Sequence, residues 1–123
     1  VLDSSAVLAL LWTESGADIV AAALADSEIS AVNHAEVLTK LEDRKLASPA
    51  AHALLKQLGI TVVAFDEAHA ELAAKLRNTT RSFGLSLGDR ACIALAKLRN
   101  KPVLTADSAW AQIELGVTVK LVR

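Results

Sequence analysis

The sequence has no methionine, no tyrosine, one cysteine and two prolines in 123 residues. The missing methionine predicts that the natural chain starts before Val1 and that its first strand is cut short at its beginning. A lone Cys92 cannot build a disulfide framework, so a reducing, cytoplasmic setting is expected. Aromatic residues make up 3% of the chain, too few for a row of base-stacking platforms. There is no basic surplus either, because the net charge is -1. That excludes a long basic stripe for nucleic acid but leaves local basic patches open. No run reaches about 18 apolar residues, so no membrane span is expected. No basic-then-apolar targeting segment is seen.

What is abundant is apolar: 53% of residues are hydrophobic. A chain of this length can bury a real core as one domain over residues 1–123. The surplus points to a large core or to an apolar face that another chain covers.

The run Val1-Leu2-Asp3-Ser4-Ser5 reads as the last residues of a central strand, with Asp3 at its carboxyl end. Residues 4–11 then read as a buried helix ended by Trp12. After a break at Glu14-Ser15-Gly16, Ala17 to Ala25 is a second helix. Glu28 to Val32 alternates as a strand, and Asn33 opens a helix to about Lys45. Ser48-Pro49 is a cap with proline at the first helical position, and that helix runs to Leu58 and stops at Gly59. Ile60 to Phe65 is dense in β-branched residues and reads as a buried strand. Asp66 caps a helix to about Arg81, and Ser82 to Leu85 is a loop. Ser86 opens a helix to about Arg99, and Asn100-Lys101-Pro102 breaks it. Val103 to Thr105 is a strand, a short helix follows Ser108, and Val117 to Val122 is a last strand. The alternation predicts an α/β fold with a mostly parallel sheet and right-handed crossovers.

In such sheets, ligands bind outside the carboxyl ends of the strands. The helix after each strand begins at that same edge. This puts Asp3, Glu36, Asp89 and Asp107 together from four places in the chain. Singly, each has a structural explanation. Asn33-x-x-Glu36 and Ser86-x-x-Asp89 fit capping boxes, acids favour the positive end of a helix, and Asp3 and Asp107 fit simple caps. Convergence argues for more, since four gathered carboxylates repel and raise one another's pKa. A hard cation such as Mg²⁺ or Mn²⁺ removes the conflict and takes oxygen ligands. Such an ion can activate water for attack on a phosphodiester.

These residues also carry a resemblance. VLDSSAVLALL at the start, SAVNHAEVLTKL around Glu36, LSLGDRACIALA around Asp89 and VLTADSAW around Asp107 resemble the four motifs of PIN-domain ribonucleases. The type most resembled is the VapC toxin of toxin–antitoxin pairs, and the likeness covers nearly the whole chain. It implies a small parallel sheet of four or five strands flanked by helices on both faces. It also implies an acidic pocket for Mg²⁺ or Mn²⁺ made by Asp3, Glu36, Asp89 and Asp107. Asp3 and Asp89 match the positions most directly tied to the metal. Glu36 matches the residue that positions water or assists proton transfer, and Asp107 the acid that acts through water. Ser5 and Thr105 match supporting polar positions. The resemblance further implies a structured RNA substrate, a homodimer, and silencing by a cognate antitoxin.

Lys75, Arg77 and Arg81 near the end of one helix, with Arg90 after Asp89, are candidate phosphate contacts or a solvated face. His34, two positions before Glu36, is expected to turn away from it. His52 and His69 are scattered. Cys92 reads as a small core residue, and Trp12 and Trp110 as packing residues, with Trp12 a candidate for a partner-facing surface. Two rivals remain. A phosphatase of the haloacid dehalogenase type needs a second acid two residues after the first, where Ser5 stands. A receiver-type signalling module would have to use Asp66 and Lys120.

Overall fold

The computed structural model describes residues 1–123. Helices and short strands alternate: α1 Ser4–Leu11, α2 Ala17–Ala22, β1 Glu28–Ser30, α3 Ala31–Asp43, α4 Pro49–Gln57, β2 Thr61–Val63, α5 Glu67–Thr80, α6 Leu87–Arg99, β3 Val103–Thr105 and β4 Val119–Leu121. Two 3-10 turns, Arg81–Phe83 and Ser108–Gln112, precede α6 and β4.

The strands form two parallel pairs, β1 with β2 and β3 with β4. Val1 to Asp3 lies between them. Leu2 N donates to Glu28 O on one side, and Asp3 N donates to Leu104 O on the other. Leu104 N returns a bond to Val1 O. The layer therefore reads β2, β1, residues 1–3, β3, β4, which agrees with the parallel sheet expected from the alternating pattern and with the four or five strands that the resemblance implies.

Successive residues of a strand point to opposite faces, and the core divides accordingly. Val1 and Val103 join α5, α6 and Trp110 in one apolar cluster. Leu2 and Leu104 join Val7, Val20, Val37 and Leu55 in the other. Helices thus cover both faces. Each fully buried aliphatic side chain of these clusters contributes about 1.5–3 kcal/mol.

Local chemistry explains most boundaries. Ser48 accepts a bond from Ala51 N with Pro49 opening α4, Asp66 accepts from His69 N ahead of α5, and Ser86 accepts from Asp89 N ahead of α6. Gly59 takes a positive φ of +73° after α4, the left-handed conformation that a residue without Cβ adopts freely.

Three expectations change. The helix expected from Asn33 opens at Ala31, because Ser30 is the cap and accepts from Val32 N; an alternating apolar run hid the cap inside the strand. No Asn33–Glu36 capping box forms. Instead Asn33 is fully buried and its amide turns inward. The strand expected as buried between Ile60 and Phe65 is the outer β2, with Val62 46% exposed. β-branched composition favours a strand but does not say where in the sheet it lies. Trp110 is fully buried as expected. Trp12 is half-buried, with the Arg44 guanidinium 3.5 Å over its ring.

Candidate metal centre

Asp3 stands at the head of α1 but does not cap it: its side chain accepts no bond from a backbone N–H of the helix. The carboxylate is free for hydroxyl partners. Ser5 Oγ donates to one of its oxygens, and Thr105 Oγ1 donates to the same oxygen at 2.9 Å. Both hydroxyls were expected to support the pocket. They also fix the neighbouring backbone, since Ser5 Oγ accepts from Ala106 N at 3.0 Å and Thr105 Oγ1 accepts from Asp107 N at 3.1 Å. Asp3 is 2% exposed. Burial pushes its carboxyl above the usual carboxylate range, the two hydroxyl bonds partly offset this, and the charges of Asp89 and Glu36 push it up further.

Glu36 comes from the second turn of α3, since α3 begins at Ala31. Its carboxylate meets that of Asp3 through two shared neighbours. Ser4 Oγ donates to Glu36 Oε2 at 2.8 Å and stands 3.5 Å from Asp3 Oδ1. Asn33 Nδ2 stands 3.3 Å from Glu36 Oε2 and 3.5 Å from Asp3 Oδ1. The same amide donates to Gly88 O at 3.0 Å, on the first turn of α6. A Cβ on Gly88 would fall 2.1 Å from Glu36 Oε1. Glycine is what lets the Glu36 carboxylate lie against α6, beside Asp89.

Asp89 and Asp107 each spend one oxygen locally. Asp89 Oδ2 accepts from Ser86 N at 2.8 Å, completing the expected capping box. Asp107 Oδ1 accepts from Ala109 N at 3.0 Å and caps the 3-10 turn. As these side chains are oriented, no three His, Cys, Asp or Glu residues stand close enough to hold an ion together. The donor set nevertheless fits a hard cation. It is all oxygen, Asp3 and Glu36 lie side by side, and none of the ion pairs in the structure involves any of the four acids. Mg²⁺ needs only one or two protein carboxylates, with water and phosphate completing its shell.

The other candidates separate clearly. Arg90 Nη1 donates to Ala73 O at 2.9 Å, tying α6 to α5. Arg77, Arg81 and Lys75 are exposed. Cys92 is buried on α6, and burial together with nearby Asp3 pushes its thiol well up, so it is no nucleophile. His34 and His52 line an apolar cavity with Leu38 and Leu55, away from the acids. Burial and the charge of His52 push His34 down. Sequence reasoning missed Ser4, Asn33 and Gly88. Ser4 had a signal, as a hydroxyl adjoining Asp3; the other two had none that local pattern could supply.

Residues 1–115 match the model of the PIN domain. The chain belongs to the PIN-domain family. Within it, the chain is 35% identical over 114 residues to a VapC ribonuclease of Mycobacterium bovis, covering 85% of this chain and 87% of that protein. Ribonuclease VapC42 of Mycobacterium tuberculosis matches with the same figures of 35%, 85% and 87%. The fold is shared with a toxin–antitoxin complex from Klebsiella pneumoniae, at TM-score 0.72 and 19% identity over 99% of this chain and 96% of that one. FitAcB from Neisseria gonorrhoeae gives TM-score 0.70 and 23% identity over 96% and 94%. PIN membership replaces the phosphatase and receiver readings. Asp66, the residue a receiver would phosphorylate, is the cap of α5.

Proposed function

We propose that this PIN domain is a metal-dependent endoribonuclease toxin that cuts structured RNA and is restrained by a cognate antitoxin. One observation carries the reading. Asp3 and Glu36, from separate elements, lie together at the strand-end edge with hydroxyls and one amide between them and no cationic side chain. Such a pair invites a divalent cation and, through it, a phosphate.

In this reading Asp3 and Asp89 would hold Mg²⁺ or Mn²⁺ with Glu36 beside Asp3, and Asp107 would act through water. A bound ion supplies positive charge to the phosphate and acidifies water. The rest is done by the chain. Ser5 and Thr105 keep Asp3 in one orientation. Glu36, less buried than Asp3, takes the proton from the attacking water. Arg77 and Arg81 meet the RNA backbone, and Arg90 contributes its guanidinium edge not used by Ala73. Apolar side chains left exposed, among them Leu46, Leu54 and Val62, are consistent with a homodimer and an antitoxin-covered face. The metal dependence follows the acids, and relatives named as VapC ribonucleases support the choice of RNA.

The test is RNA cleavage by the purified, partner-free chain with Mg²⁺ or Mn²⁺ against a chelator, beside Asp3→Asn and Asp89→Asn. Metal-dependent cutting that disappears in both variants is expected. A folded, metal-bound chain that cuts no structured RNA overturns the proposal.

A further inference from the structure

Asn33 is 0% exposed. Buried amides are normally satisfied at both ends, but here the two ends differ. Nδ2 faces three oxygens: Asp3 Oδ1 at 3.5 Å, Glu36 Oε2 at 3.3 Å and Gly88 O at 3.0 Å. Oδ1 is buried with no partner. The orientation follows from chemistry, because an amide turned the other way would set its oxygen against three acceptors. An unpaired buried carbonyl oxygen costs stability, while the Nδ2 end of the same amide is fully engaged. Asn33 also does not cap its helix, as Ser30 has that role.

We propose that Asn33 is the positioning residue of the acidic pocket: its amide NH₂ holds the Asp3 and Glu36 carboxylates side by side and pins both to the first turn of α6 through Gly88. Two like charges without a cation need donors between them to stay adjacent. Ser4 has one hydrogen, and it goes to Glu36 at 2.8 Å. Asn33 has two for three oxygens, so one is shared between the Asp3 and Glu36 carboxylates while the other goes to Gly88 O at 3.0 Å on α6. Gly88 completes the arrangement from the other side, because its missing Cβ is the space that the Glu36 carboxylate fills. The pocket is thereby set before a cation arrives, so little of the binding is lost to gathering its ligands. Partners that orient metal ligands in this way typically change affinity by about 10–100-fold when removed.

This inference rests on the metal reading of the pocket, and the experiment separates the two. Mn²⁺ is titrated calorimetrically into the whole chain and into Asn33→Leu, Asn33→Ser and Val37→Ala. Val37 is fully buried on the same helix, and its apolar side chain forms no hydrogen bond with either acid. Asn33→Leu is expected to weaken Mn²⁺ binding by about 10–100-fold and to lower kcat for RNA with KM unchanged. Asn33→Ser keeps one donor and is expected to fall between it and the parent; it also serves as the readout if Asn33→Leu does not fold. Val37→Ala is expected to lower the Tm and leave Mn²⁺ affinity within about twofold. Mn²⁺ affinity within about twofold of the parent in Asn33→Leu, or in Asn33→Ser if the leucine variant does not fold, overturns the positioning role alone, as does an equal loss in Val37→Ala. A parent chain that binds no Mn²⁺ overturns the metal reading and this inference with it.

Discussion

The two edges of the sheet treat carboxylates in opposite ways. At the strand-start edge, Glu28 lies 3.2 Å from Arg99 Nε and 3.0 Å from Lys101 Nζ. Burial raises its pKa, but the Lys101 bond and both positive charges outweigh this and hold the carboxyl below its ordinary range. At the strand-end edge, burial dominates and Asp3 is raised. One carboxylate stabilises the fold through its charge. The other is held against its charge, which a proton or an added cation relieves. The Glu28 ion pairs and the proposed metal site occupy opposite ends of adjacent strands, joined by the bond from Leu2 N to Glu28 O.

The contrast breaks most strongly at Asp3. Asp3→Asn is expected to lower metal-dependent cleavage by about 10³-fold, the equivalent of about 4 kcal/mol. Its Tm in chelator is expected to hold or to rise by about 2–4 °C, because the removed charge was unfavourable. Cleavage kinetics and thermal unfolding of one preparation measure both. A clear loss of stability would place Asp3 with Glu28 as a structural charge.

Gly88→Ala sharpens the same side. Its Cβ would displace the Glu36 carboxylate, and cleavage is expected to fall by about 10–100-fold with a weaker response to Mn²⁺. Asp107→Asn should matter less, by under about tenfold in cleavage rate, because its Oδ1 is already committed to Ala109 N and metal orientation falls mainly to other groups. A loss as large as that of Asp3→Asn would bring Asp107 into direct contact with the ion.

The smallest effect belongs to the other edge. Glu28→Gln is expected to cost about 0.5–1 kcal/mol and to leave cleavage unchanged. The sign with pH follows from a lowered carboxyl. Its stabilisation is present above the ordinary value of 4.5 and is lost as pH falls through the lower folded value. The Tm difference between the parent and Glu28→Gln should therefore persist at neutral pH and close in acid below 4.5. A gap that widens on acidification would contradict the ion-pair account.

Much of this was legible from residue order. Ser48-Pro49, Asp66 and Ser86 start their helices as capping chemistry dictates, and the alternation of strands with helices led to the parallel sheet. The approach of Asp3 and Glu36 was legible because strand ends and helix starts share an edge in such a sheet. The opening of α3 was not, because Ser30 competes with Asn33 as cap and lies within an apolar alternation. Nor was the exposure of β2, since composition describes a strand's backbone and not its neighbours. Arg90 reads as a free basic residue beside Asp89, yet Ala73 O on the preceding helix takes its Nη1.

The sequence by itself determined the periodic and capping features, because these depend on residues within a turn of one another, and the strand–helix alternation that sets Asp3 and Glu36 at one edge. Only the tertiary structure decided that Asn33 reaches Asp3, Glu36 and Gly88, that Ser4 serves Glu36, and that Glu28 meets Arg99 and Lys101. Those contacts join residues far apart in the chain, and their distances are set by how helices pack across the sheet rather than by any local pattern.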